Sequence, residues 1–136
     1  MLTSKNWIAP EDYKVYCFCG EPKFIMVCVG REKKGHPQFY LFDTDWKLAR
    51  INRDSINAPR GFTIEKPKCL DKLLKCATNL SKPFPFVRAD FYIVKNRVFF
   101  GELTFTPSGG LDGARLPDTD IMMGKMIDLH YPNNHI

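Results

Sequence analysis

A chain of 136 residues is the length of one domain with a modest core, and 44% hydrophobic with 26% charged residues fits a globular protein rather than a disordered one. The net charge of +5 comes from scattered Lys and Arg, so it reads as a solvated surface or as tolerance of an anionic small ligand, and argues against a nucleic-acid partner. Five cysteines without CxxC spacing, distant from the three histidines, argue against a disulfide framework and a thiolate zinc site, and no run reaches the ~18 apolar residues of a membrane helix. With no apolar signal-peptide core near Met1, a reduced, cytoplasmic protein is expected.

Residues 13–19 alternate as a strand, with Tyr13, Val15, Cys17 and Cys19 on one face and Lys14, Tyr16 and Phe18 on the other. Gly20-Glu21-Pro22 is a turn signal, and the β-rich run 23–29 completes a hairpin. Residues 30–37 form a loop and 38–43 a third strand. The pattern then dissolves over 44–67, apart from an expected helical turn at 46–50. So long a connection covers something or contacts a partner. Leu70, Leu73, Leu74, Ala77 and Leu80 follow the i, i+3, i+4, i+7 rule of an amphipathic helix, with Pro67 at its entrance and Pro83 and Pro85 beyond its end. A second hairpin spans 87–105, followed by a glycine-rich loop at 106–120 and a short terminal helix at 121–129. Hairpins in place of βαβ units predict an α+β fold. Its mostly antiparallel sheet is packed by one main helix and a short terminal helix.

The second hairpin carries Arg88, Asp90, Glu102 and Thr104 in its middle. A two-residue turn at Lys95-Asn96 would pair Val94 with Arg97 and set Asp90 against Gly101. A three-residue turn, Lys95 to Arg97, would pair Asp90 with Glu102 and Arg88 with Thr104. A one-residue slip turns every side chain of one strand to the other face. The three-residue turn is favoured because it gathers Val87, Ala89, Phe91, Ile93, Phe99, Gly101, Leu103 and Phe105 on one apolar face. The two carboxylates then lie on the order of 5 Å apart at Cβ, an arrangement that is destabilising unless relieved. Three reliefs are open: a shared proton, an ion pair with Arg88, or a divalent cation such as Mg²⁺, which binds one or two carboxylates together with phosphates. A solvated face with ordinary ion pairs is the plainer alternative. The Pro-Ser-Gly-Gly segment at 107–110 follows directly, and glycines let backbone N–H groups approach an anion.

The stretch VRADFYIVKNRVFFGELTFTPSGG resembles the metal-binding hairpin of the ATP-grasp superfamily. Together with PEDYKVYCFCGEPKFIMV and DTDW, it resembles the TupA-like ATP-grasp family, associated with teichuronopeptide and capsular polysaccharide biosynthesis and often labelled glycosyltransferase. The likeness runs from about Pro10 to Asp128. It implies the C-terminal lobe of an ATP-grasp fold, with Mg²⁺ on Asp90 and Glu102 and Thr104 where many members have an Asn ligand. Arg88 would be the catalytic phosphate contact. Lys14, Ser108, Gly109 and Gly110 would border the nucleotide. Asp45 and Trp46 match a family Asp-Trp pair without an assigned role.

The implied chemistry is ATP-dependent: a carboxylate is phosphorylated to an acyl-phosphate, which an amine or similar nucleophile attacks. The lobe that usually precedes the "DYK" strand is expected to be absent from residues 1–136, which would then be a single partial domain, weak or inactive alone. Three functions compete. The chain is the metal and phosphate half of a ligase-like enzyme acting on a carboxylate or saccharide acceptor, with its other lobe a possible second chain. Or it is a non-catalytic fragment that binds a partner through 44–67 and an exposed Trp46. Or it is a metal-dependent glycosyltransferase-type protein.

Overall fold

In the computed structural model, residues 12–29 and 38–105 are described. Among them are β1 (Asp12–Phe18), β2 (Glu21–Val29), β3 (Gln38–Asp43), α1 (Arg53–Asn57), α2 (Leu70–Ser81), β4 (Phe86–Val94) and β5 (Arg97–Thr104). The strands form one five-stranded sheet in the order β3-β2-β1-β4-β5, every neighbouring pair antiparallel. The α+β architecture is therefore as expected. The glycine-rich loop, the terminal helix, Ser108, Gly109 and Gly110 lie outside the described residues.

Strand alternation gives the sheet two different faces. Val15, Cys17, Ile25, Val27, Phe42, Val87, Ala89 and Phe91 project to one side. There they meet Leu70, Leu73 and Ala77 of α2, whose apolar stripe is the one its sequence spacing predicts. The helix starts three residues after Pro67, whose carbonyl accepts from Leu70 N at 3.1 Å, and ends at Ser81 before Pro83. On the other side Tyr16, Phe18, Met26, Leu41 and Phe86 make a smaller cluster toward β3, flanked by Ala49 and Ile51.

The segment after β3 differs from expectation. No helical turn forms at 46–50. Asp43 Oδ1 accepts from Asp45 N and Lys47 N, each at 2.9 Å, and this turn leads the chain back along β3, where Leu48 bridges Phe42. The helix lies further on, at Arg53–Asn57, because Asn52 caps it with Oδ1 accepting from Ser55 N at 3.2 Å. Asn52 Nδ2 also donates to Phe39 O at 2.8 Å. Asp54 Oδ2 and Ser55 Oγ accept from Phe39 N and Leu41 N at 2.9 and 3.1 Å. The excursion thus satisfies the outer edge of β3, which would otherwise offer unpaired groups to another strand. Trp46 is not an exposed contact residue. It is 9% exposed, stacks on Phe42 at 4.4 Å and 3°, and donates from Nε1 to Ile64 O at 2.7 Å.

The β4–β5 turn also departs from the three-residue form. Val94 pairs with Arg97, and Lys95 and Asn96 occupy the left-handed region at φ 52° and 62°, the two-residue geometry that suits the natural twist of a hairpin. Ile93, Tyr92 and Phe91 follow opposite Val98, Phe99 and Phe100. The ladder then slips by one residue, and Asp90, Ala89 and Arg88 pair with Glu102, Leu103 and Thr104. Gly101 is the extra residue of this β-bulge. Phe99 therefore shares the face of Tyr92, not the α2 face, while Val98 and Phe100 take its expected place.

Candidate metal and phosphate site

The bulge restores, by another route, the pairing that brings the acids together. On the sheet face opposite α2, two cross-strand rows lie side by side. Lys14, Asp90 and Glu102 form one across β1, β4 and β5, and Tyr16, Arg88 and Thr104 form the next. Cross-strand partners point to the same side of a sheet, so both carboxylates emerge together.

Asp90 and Arg88 are each 6% exposed, whereas Glu102 stands open to solvent. Asp90 Oδ1 accepts from Arg88 Nε at 2.9 Å, and Oδ2 accepts from Arg88 Nη2 and from Lys14 Nζ, both at 3.1 Å. The forked guanidinium matches the carboxylate in a bidentate pair. Arg88 Nη2 also donates to Thr104 Oγ1 at 3.3 Å. Lys14 Nζ lies 3.5 Å from Asp12 Oδ2, so its ammonium sits between two acids. Burial pulls the Arg88 guanidinium's pKa down. Its hydrogen bond and charge attraction to Asp90, joined by contact with Tyr16, outweigh that and raise it above the ordinary arginine value. Of the three reliefs open to the facing carboxylates, the ion pair of Asp90 with Arg88 forms, strengthened by a second cation from β1.

Lys14, Arg88, Asp90, Glu102 and Thr104 are thus brought together. Asp45 is exposed in the turn after β3, and Trp46 belongs to the core, so neither joins them. Asp12 and Tyr16 were missed by sequence reasoning. The signal was available, since both stand two positions from Lys14 and a strand returns to the same face every second residue.

No trio of acidic, histidine or cysteine side chains that could cage a metal occurs among the described residues. Two neighbouring carboxylates and a hydroxyl are hard oxygen donors, and Mg²⁺ is commonly bound by one or two carboxylates plus phosphate oxygens and water. The donor set fits a cation delivered with a phosphate, not one held by protein ligands alone.

Comparison with known proteins bears on the fold and the family. The chain is similar in fold to the D-alanine–D-alanine ligase from Bacillus anthracis complexed with ATP, with a TM-score of 0.51 at 14% identity, over 87% of this chain and 34% of that one. A second structure of that ligase matches with a TM-score of 0.46 at 14% identity, over 87% and 36%. The chain therefore spans about a third of the length of these ligases. No curated protein matches the sequence significantly. The model of TupA-like ATP-grasp proteins matches residues 2–128, and the chain belongs to that family.

Proposed function

We propose that the sheet face bearing Asp90 and Glu102 is the metal- and phosphate-binding part of an ATP-grasp enzyme, a carboxylate ligase-like activity in teichuronopeptide or cell-surface polysaccharide biosynthesis. The observation that supports it best is the pairing of Asp90 with Glu102, flanked by the cations of Arg88 and Lys14 on one face. Asp90, Glu102 and Thr104 would hold Mg²⁺, which when bound offsets the negative charge of the nucleotide phosphates. Arg88, with its planar fork, is suited to bind a phosphate oxygen and orient the phosphoryl group. Lys14 adds a compact positive charge beside it. Ser108, Gly109 and Gly110 follow β5 closely in sequence and would supply backbone donors to the anion. The acceptor is a carboxylate or saccharide group. The remaining lobe, whether in the same polypeptide or a second chain, would close over the nucleotide.

Thermal unfolding of the chain with ligands tests this reading. A ligand that binds only the folded state raises Tm, by an amount that grows with the logarithm of its concentration relative to Kd. Mg-ATP is expected to raise Tm by a few degrees, and Glu102→Gln to remove most of that gain without lowering Tm in buffer, since Glu102 is exposed. Protection by a UDP-sugar with none from Mg-ATP would replace this reading with the glycosyltransferase one. Protection by neither would leave a partner-binding fragment.

A further inference from the structure

The Asp90 carboxylate is already neutralised by neighbouring side chains. Both oxygens of Asp90 accept hydrogen bonds from cations, two from Arg88 and one from Lys14, and the carboxylate is almost wholly buried. Lys14 is held in turn by Asp12, and its side chain is only 14% exposed. The Lys14 ammonium therefore sits where Asp90 would meet a metal ion. Among the described residues, Lys14 and Arg88 offset the formal charges of Asp12 and Asp90 and leave Glu102 as the net −1 of the cluster. A divalent cation arriving alone would be a third positive group on Asp90, facing two resident cations at close range in a partly desolvated pocket. An anion arriving with it removes that conflict. The phosphate gives Lys14 and Arg88 a new partner and frees a lone pair of Asp90 for the metal.

We propose that Lys14 is the resident counter-ion of Asp90, and that it makes metal binding conditional on a phosphate ligand by moving from the carboxylate to the phosphate. Lys14 is a suitable residue for this exchange. Its ammonium is a single point of charge on a flexible stem, while Arg88 is fixed by its two-pronged contact and by Thr104. Asp12 is the positioning residue that keeps the ammonium on the site in the free state. The consequence is positive coupling between metal and phosphate. By linkage the coupling is reciprocal, so metal strengthens phosphate binding by the same factor. This inference rests on the function proposed above, and adds to it an order of events and a residue that enforces it.

The test is Mn²⁺ binding to the chain, followed by electron paramagnetic resonance, with and without ATP after correction for Mn²⁺ bound to free ATP. Wild type, Lys14→Met, Lys14→Arg and Glu102→Gln are compared. In wild type, ATP should tighten Mn²⁺ binding at least about tenfold. Lys14→Met should bind Mn²⁺ alone several-fold more tightly than wild type and lose most of the ATP dependence. Lys14→Arg should keep the dependence. If ATP tightens Mn²⁺ binding in wild type and Glu102→Gln loses it, but Lys14→Met matches wild type in both arms, the counter-ion role is overturned while the function stands. If neither Mn²⁺ nor ATP binds any of the four proteins, the function itself falls and this inference with it. Should Lys14→Met fail to fold, nuclear magnetic resonance of the Lys14 ε-methylene in wild type decides. It should shift with ATP before any metal is added and stay still with Mg²⁺ alone, and the reverse pattern overturns the proposal.

Discussion

Asp90 faces Glu102 across β4 and β5 because Gly101 drops out of the ladder between them. A Cβ built on Gly101 would lie 3.1 Å from Asp90 O and 3.1 Å from Tyr92 Cε2. The tyrosine ring can move, but the carbonyl belongs to the backbone of the strand that carries the site. Replacing Gly101 by Val should therefore cost about 1–3 kcal/mol, with Ala at the lower end, as overpacking does elsewhere. The same variants should weaken metal-dependent protection, because relief of the clash pushes Asp90 away from Glu102. Urea unfolding with and without Mg-ATP measures both effects, and a Val variant as stable and as responsive as wild type would contradict the bulge as the device that sets the site.

Arg88 is the larger structural stake. Arg88→Met leaves a buried carboxylate with Lys14 as its remaining cation, and breaking a buried pair from one side typically costs about 3–5 kcal/mol. Asp90 keeps some compensation, so the lower end is expected, about 3 kcal/mol. Removing both charges together, in Arg88→Met with Asp90→Leu, should recover a substantial part of the loss because no uncompensated charge remains. Equilibrium denaturation of the two single variants and the double variant forms the cycle. A double variant no more stable than Arg88→Met would mean that the pair acts through something other than mutual neutralisation.

The edge at β3 should depend on three short side chains. Asn52→Ala removes both the cap of α1 and a bond to Phe39 O, an expected loss of about 1–2 kcal/mol. Asp54→Ala and Ser55→Ala together uncover Phe39 N and Leu41 N, two outward donors on a strand rich in aromatics. Their combination should raise the rate of aggregation on mild heating, as uncovered strand edges do. Light scattering at equal fractions folded separates this edge effect from simple loss of stability.

Alkaline pH should destabilise the chain through Cys17. Burial pushes its thiol up to about 11 from an ordinary 9.0, although a hydrogen bond with Ser81 works against the rise. The folded state thus holds its proton to higher pH than the unfolded chain does. The resulting stability is fully present below about pH 9 and is lost as pH rises through about 11. Two pH units of difference correspond to about 2–3 kcal/mol at most. Melting temperatures at pH 8 and pH 10.5 should diverge in wild type and converge in part in Cys17→Ala. The same burial makes Cys17 slow toward iodoacetamide at pH 8 until the protein is unfolded.

Much of the fold was legible because its signals are local. The spacing Leu70, Leu73, Leu74, Ala77 and Leu80 defines the buried stripe of α2 within one helix, and the alternation from Tyr13 to Phe18 separates the two sheet faces within one strand. The polar hairpin residues were legible as a group, since Arg88, Asp90, Glu102 and Thr104 stand out against apolar neighbours. Their register was not. Reasoning from a regular ladder needed a three-residue turn to align the acids. The chain instead uses the favoured two-residue turn and corrects the offset at Gly101, because a residue without Cβ can leave the ladder where a backbone carbonyl crowds it. The turn at 43–47 was misread for a similar reason: a single aspartate side chain, accepting from two backbone N–H groups, decided against a helix.

Residue types and their periodicity were enough to establish an antiparallel sheet under one helix and to place two acids and an arginine in one hairpin. They could not say which second cation meets Asp90. That depended on β1 lying beside β4, which sets Lys14 against Asp90 from 76 positions away in the chain. An ion pair between distant strands has no trace in either segment alone, because its energy exists only once both have left water and met in one register. The burial of Trp46 is of the same kind, decided by Phe42 and Ile64 closing around it.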